Sequence, residues 1–152
     1  MLVAQFVLLF FLGRNYAPLC RYLGFVLWAA GCVLAWHAWL PTFYFPRKAG
    51  VAKGKSYVHT TVLGTTGIYS VVRHPQYLSS FVLAFALALI SQHWLVILLG
   101  AVGSALFGLG LKGEDDVNIE KFGDDYRRYK ERVPGYDIML GILRRLTRER
   151  RG

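Results

Sequence analysis

The sequence predicts an all-α integral membrane protein with about four transmembrane or membrane-embedded helices, a C-terminal helical hairpin and a cytosolic C-terminal segment. Three observations carry that expectation. Of 152 residues, 55% are apolar and 18% charged, with mean hydropathy +0.37, whereas soluble domains hold about 25% charged residues. All nine acidic residues lie at or beyond Glu114, so residues 1–113 hold eight Lys and Arg and no carboxylate. The basic residues stand at the ends of apolar runs, where membrane-flanking charge belongs. A net charge of +9 can also mean nucleic acid, but this placement argues against nucleic-acid binding.

Four apolar segments follow in order. Leu2 to Leu12 is about half of the roughly 20 residues that a span needs. Its start, MLVAQFVLLFFLG, has no basic leader or small-residue cleavage site and is expected to be a mature helix. Leu19 to Leu40 is long enough to span and ends in Trp36, Trp39, Phe43 and Tyr44, an aromatic belt. Tyr77 to Ile90 and Trp94 to Leu111 flank a short polar Ser91-Gln92-His93, the pattern of a hairpin. Gly100, Ser104 and Gly108 recur every four residues, with Gly103 and Gly110 beside them. They are expected to pack against the third segment, with a homodimer face as the second option.

The expected organisation is one domain over 1–152: membrane helices in 1–45, a cytosolic connector in 46–76, the hairpin in 77–111, and a cytosolic segment in 112–152. Arg47, Lys48, Lys53, Lys55 and Arg73 precede the hairpin, and the tail is basic, which puts both on the cytoplasmic side and Ser91-Gln92-His93 outside. Arg14 and Arg21 then fall on the outer side, against the rule. Cys20 and Cys32 form no CxxC and are read as packing residues. His37, His59, His74 and His93 show no metal-ligand spacing, so no metal is expected.

The stretch GLGLKG, Gly108 to Gly113, spells GxGxxG. That fingerprint has meaning only between a strand and a helix of a βαβ unit, and an apolar helical run precedes it here. Chemistry is concentrated instead in two polar clusters, Thr65 to Tyr77 (TTGIYSVVRHPQY) and Glu114 to Pro134 (EDDVNIEKFGDDYRRYKERVP). Pro75 suits the first turn of a helix and keeps His74 out of helical geometry. Arg73 and His74 therefore fall beside unpaired N–H groups, a natural anion site, although an Arg snorkelling to lipid phosphate has the same look. Glu114 and Asp115 are the first carboxylates, at the membrane surface, where one can hold a cationic amine. Asp116, Asp124 and Asp125 suit a solvated helix end. Phe122-Gly123 breaks the helix, and Tyr126 and Tyr129 at i, i+3 can face one pocket. A cationic end, an anionic end and aromatic walls suit a zwitterionic amino-acid head joined to a flat ring.

GIYSVVRHPQY, an acidic pair about forty residues later and FGDDYRRYKERVP resemble the isoprenylcysteine carboxyl methyltransferase and phospholipid methyltransferase superfamily. The resemblance covers roughly residues 60–136. It matches Gly67, Tyr69, Arg73, His74, Pro75 and Tyr77, then Glu114 and Asp115, then Phe122, Gly123, Tyr126, Tyr129, Val133 and Pro134. It implies a membrane methyltransferase that uses S-adenosylmethionine on a lipophilic, lipid-like or prenylated membrane acceptor. The donor pocket would face the cytosol, closed by the C-terminal segment. Gly67, Tyr69, Arg73, His74, Pro75, Tyr77, Glu114, Asp115, Tyr126 and Tyr129 are then its cofactor-binding set. No base stands out, and His74 and Glu114 are the candidates for any catalytic part. Asp115 replaces the family's second Glu. The Arg that eukaryotic prenylcysteine enzymes carry just before the pair is absent from Gly108-Leu109-Gly110-Leu111, which weighs against a prenylcysteine carboxylate.

Two rivals are an NADPH-dependent sterol reductase-like enzyme, which has an Arg-x-His-Pro-Asn-Tyr-like stretch, and a non-enzymatic membrane scaffold. Gln76, Ser79-Ser80 and the retained FGxxYxxY favour methyl transfer. The tail, Tyr136 to Arg151, places Ile138, Ile142 and Leu146 on one face with Met139 and Leu143 beside them. Arg144, Arg145, Arg148 and Arg151 fall largely on the other side, so the helix is expected to lie in the interface with its arginines toward anionic head groups.

Overall fold

The computed structural model describes residues 1–14, 16–44 and 63–150. Its helices are α1 (Leu2–Leu12), α2 (Pro18–Tyr44), α3 (Pro75–Ser91), α4 (Trp94–Phe122), α5 (Asp124–Arg132) and α6 (Ile138–Glu149), with a short 3-10 turn at Gly67–Ser70. No strand occurs among the described residues, and the protein is all-α. Proline opens α2 and α3, where its missing N–H costs nothing. Gly123 separates α4 from α5 at φ 59° and ψ −132°, a conformation nearly restricted to glycine. Among the described residues, two helices are long and apolar enough to cross a membrane, over Pro18–Leu40 and Trp94–Phe122, while the apolar α1 and α3 are shorter, at 11 and 17 residues. Helix α4 does not stop at Leu111, where the apolar run ends. No proline occurs there, and Gly110 and Gly113 do not stop it, so it continues to Phe122 and carries Glu114 and Asp115.

Arg47, Lys48, Lys53, Lys55, His59 and Arg151 lie outside the described residues, as do the side chains of Phe43, Tyr44 and Arg148. The chain divides into two compact units, residues 1–36 with 76–109 and residues 37–75 with 110–152.

In the first unit α2 lies against α3 through glycines seven apart. A Cβ on Gly24 would stand 2.7 Å from Ile90 Cγ1 and 3.0 Å from the Ala86 carbonyl oxygen, and one on Gly31 would stand 2.8 Å from Leu83 Cδ2. The glycine stripe of α4 meets α1 rather than α3 alone. Gly100 makes room for Gln5, whose Nε2 donates to the Val96 carbonyl at 2.8 Å, and Gly103 faces Met1. Gly108 meets nothing within 4 Å.

The hairpin tip is held by an amide. Gln92 Nε2 donates to the Ala17 carbonyl at 2.7 Å, and its Oε1 accepts from the Ala17 N–H at 2.8 Å. The Arg14 N–H donates to the Ser91 carbonyl, so Arg14 shares the tip's end of the unit. Large apolar side chains such as Phe10, Phe11, Leu19, Leu106 and Leu109 face outward, the surface of a membrane protein rather than a soluble one.

Gly24→Ala should therefore force α2 and α3 apart, lowering stability by about 1–3 kcal/mol. Gly108→Ala should be neutral or stabilising by up to about 1 kcal/mol, from helix propensity alone. Thermal unfolding of both variants in detergent checks the contrast, and equal losses would remove the distinction between the two glycines.

Candidate functional site

The site lies within the second unit and is built around one carboxylate. Asp115, on the polar extension of α4, is 7% exposed. Its Oδ1 accepts from Arg73 Nη1, from His74 Nε2 at 2.8 Å and from the Tyr126 hydroxyl at 2.6 Å, while Lys130 Nζ lies 3.0 Å from Oδ2. A buried carboxylate is tolerated when charge and donors meet it this fully. Arg73 comes from the connector and precedes the α3 start by two residues. Tyr126 and Lys130 come from α5, where i, i+4 spacing puts them on one face.

Arg73 and His74 are fixed through their backbone as well. Three successive carbonyls accept from them: Val133 from Arg73 Nε at 2.8 Å, Pro134 from the Arg73 N–H at 2.9 Å and Gly135 from the His74 N–H at 2.9 Å. The backbone N–H groups of Arg73 and His74 are thus taken by Pro134 and Gly135. Pro75 opens α3 as expected. Gly67, at φ 62°, begins the 3-10 turn. Tyr69 in that turn donates to the Ala38 carbonyl at 2.8 Å, and its own carbonyl accepts from the Tyr129 hydroxyl at 2.7 Å.

Tyr126 and Tyr129, expected to face one pocket, pack together in a buried cluster. Their rings meet edge to face at 5.8 Å and pack with Val133, Leu63, Ile119 and Phe122 in a core where both tyrosines are buried. The reason is that each hydroxyl has a partner inside, which lets the whole ring leave solvent. Burial first, and then the hydrogen bond to Asp115, raises the Tyr126 phenol above its ordinary pKa. Burial first, and then neighbouring Tyr126, does the same at Tyr129, so both remain neutral donors. Burial alone would lower Arg73, but hydrogen bonding and charge from Asp115 outweigh it and raise the guanidinium above its ordinary value.

Of the residues singled out from sequence, the second unit brings together Gly67, Tyr69, Arg73, His74, Pro75, Asp115, Tyr126 and Tyr129. Glu114, half-buried on the same helix, takes no part in the Asp115 bonds. Tyr77 belongs to the first unit, where its ring meets Phe107 edge to face at 5.6 Å. Lys130 was missed, although its i+4 relation to Tyr126 was a usable signal. Asp124 and Asp125 pair at the surface with Arg127 and Arg128, as a solvated helix end does.

Asp115→Ala should leave Arg73 buried without its counter-ion and lower stability by about 3–5 kcal/mol. Lys130→Met, at a half-exposed pair, should cost no more than about 1 kcal/mol. Melting temperatures in detergent read both, and an Asp115 variant as stable as the parent would remove the clamp from the account.

A family profile described as Phospholipid methyltransferase matches residues 19–125. The chain is also similar to a protein-S-isoprenylcysteine O-methyltransferase of Schizosaccharomyces pombe, at 29% identity over 100 residues. That match covers 60% of this chain and 42% of the relative, so the chain spans less than half of the relative's length. No solved structure matches.

Proposed function

The chain belongs to the phospholipid methyltransferase family, and from that premise we propose that it moves a methyl group from S-adenosylmethionine to a lipid-like or prenylated acceptor in the membrane. The observation that carries this reading is the division of labour at the acidic pair. Asp115 is engaged by Arg73, His74, Tyr126 and Lys130, while Glu114 stands beside it outside those bonds.

The residues fit the donor's chemistry. Arg73 and Lys130 exceed Asp115 by one positive charge, which suits a carboxylate, and Glu114 is the carboxylate available to an ammonium group. When bound, S-adenosylmethionine supplies an electrophilic methyl on its sulfonium, so the protein's task is positioning and the exclusion of water. Arg73, His74 and the two tyrosines serve that task by holding the connector and α5 rigid around Asp115. His74 Nε2 is committed to Asp115, which suits an acceptor that needs no deprotonation on that side. Arg127, Arg128, Lys130 and Arg132 sit in the unit that carries the site, which supports a cytoplasmic orientation by the positive-inside rule.

Calorimetry on detergent-solubilised protein should show binding of S-adenosylhomocysteine and none of NADPH. Glu114→Gln should weaken binding about 10- to 100-fold, or about 1.4–2.8 kcal/mol, with an unchanged melting temperature. Retained affinity would remove Glu114 from the ammonium site. Binding of NADPH instead would favour the reductase-like reading, and binding of neither would favour the scaffold.

A further inference from the structure

Helix α6 presents its faces in the reverse of the order usual at a protein surface. Gly141 lies so close to Val71 that a Cβ there would collide with the Val71 carbonyl oxygen. Arg145 Nη1 donates to Ser70 Oγ at 3.1 Å, and Arg144 Nη1 donates to the Glu131 carbonyl at 3.2 Å. Gly141, Arg144 and Arg145 stand at i, i+3, i+4 and share one face. That face meets the protein. The apolar stripe is left outward, with Met139 81% exposed, Leu143 62%, Leu146 51% and Ile142 46%. Arg144 and Arg145, expected to turn to anionic lipid, each donate a hydrogen bond to the protein while remaining exposed.

An outward apolar stripe of this kind marks a membrane or a protein partner. The bilayer is favoured by what else the unit contains. Residues His37–Tyr44 of α2 and 110–122 of α4 belong to it, so both long apolar helices end within the same unit and a membrane boundary lies there. At twelve residues α6 is about 18 Å long and too short to span, but the right size to lie in the interface. Each mostly exposed residue of the stripe is one that lipid can cover without breaking a protein contact.

We infer that the apolar stripe of α6 inserts into the bilayer interface, with Met139 and Leu143 as its deepest residues, and that apolar contact rather than arginine attraction holds it there. The test uses the full chain carrying Cys20→Ala and Cys32→Ala, with a single cysteine introduced as Met139→Cys or Leu143→Cys and labelled with an environment-sensitive fluorophore. Asp125→Cys on α5, at a side chain 74% exposed, serves as the water-facing reference. Reconstituted in phosphatidylcholine vesicles, the labels at 139 and 143 should emit at shorter wavelength than the reference. They should lose most of their emission to lipids spin-labelled near the head group and resist aqueous iodide. Iodide quenching equal to that of the reference would overturn the inference, as would protection that grows with protein-to-lipid ratio, the mark of a second copy. Insertion that appears only when phosphatidylglycerol is added would overturn the apolar mechanism. Both positions are already exposed, so unchanged helicity by circular dichroism is expected, and no readout depends on methyl-donor binding.

Discussion

A carboxylate withdrawn from water stays ionised only where cations and donors replace its hydration, and Asp115 imposes that requirement on the second unit. Arg73 and His74 are drawn to it from the connector, Tyr126 and Lys130 from α5. Once the Arg73 guanidinium is so placed, its Nε and backbone N–H reach the Val133 and Pro134 carbonyls, and His74 reaches Gly135. Tyr129, one turn from Tyr126, then closes on the Tyr69 carbonyl. One buried charge therefore dictates the mutual position of the connector, the end of α4, α5 and the segment after it.

The same geometry explains why an acidic pair has two different members. Adjacent residues on a helix point about 100° apart and do not share a face. If Asp115 is turned fully toward its partners, Glu114 must look elsewhere. The shorter Asp side chain at the second position suits a clamp that brings Arg73, His74 and Tyr126 onto a single oxygen. The longer Glu114 is left outside those bonds.

Local signals made the elements legible. Pro75 announced a helix start, Gly123 a break, and Ser91-Gln92-His93 a hairpin tip, because each acts through its own backbone or its immediate neighbours. The Arg73, His74 and Asp115 cluster was legible as a meeting of opposite charges entering and leaving one hairpin. Other features depend on which neighbour a side chain finds, and no spacing rule reports that. The extension of α4 to Phe122 was hidden because polarity changes at Lys112 whereas helicity does not. Tyr126 and Tyr129 looked like pocket walls because i, i+3 spacing gives a shared face but not what that face packs against. Gly24 and Gly31 revealed their role only beside Ile90 and Leu83, and α6 had a legible apolar stripe but no sign of which face the protein would take.

The two units solve the burial of polar groups in different ways, and the difference follows from their solvents. Arg14 and Arg21 are the only Lys, Arg, Asp or Glu side chains in the first unit, and its long-range side-chain ties include two neutral amides, Gln5 to Val96 and Gln92 to Ala17. A neutral amide costs less to bury than a charge, even where one atom such as Gln5 Oε1 is left without a partner among the described residues, whereas an ion pair carries a desolvation penalty of several kcal/mol per charge that its attraction must offset. The second unit holds all nine carboxylates and the remaining cations, and there ionic clamping is the organising interaction. Any ligand bearing both an ammonium and a carboxylate needs both signs of fixed charge. In this chain both signs occur together only in the second unit, so the proposed donor site and the Asp115 clamp fall in the same part of the fold by the same electrostatic rule.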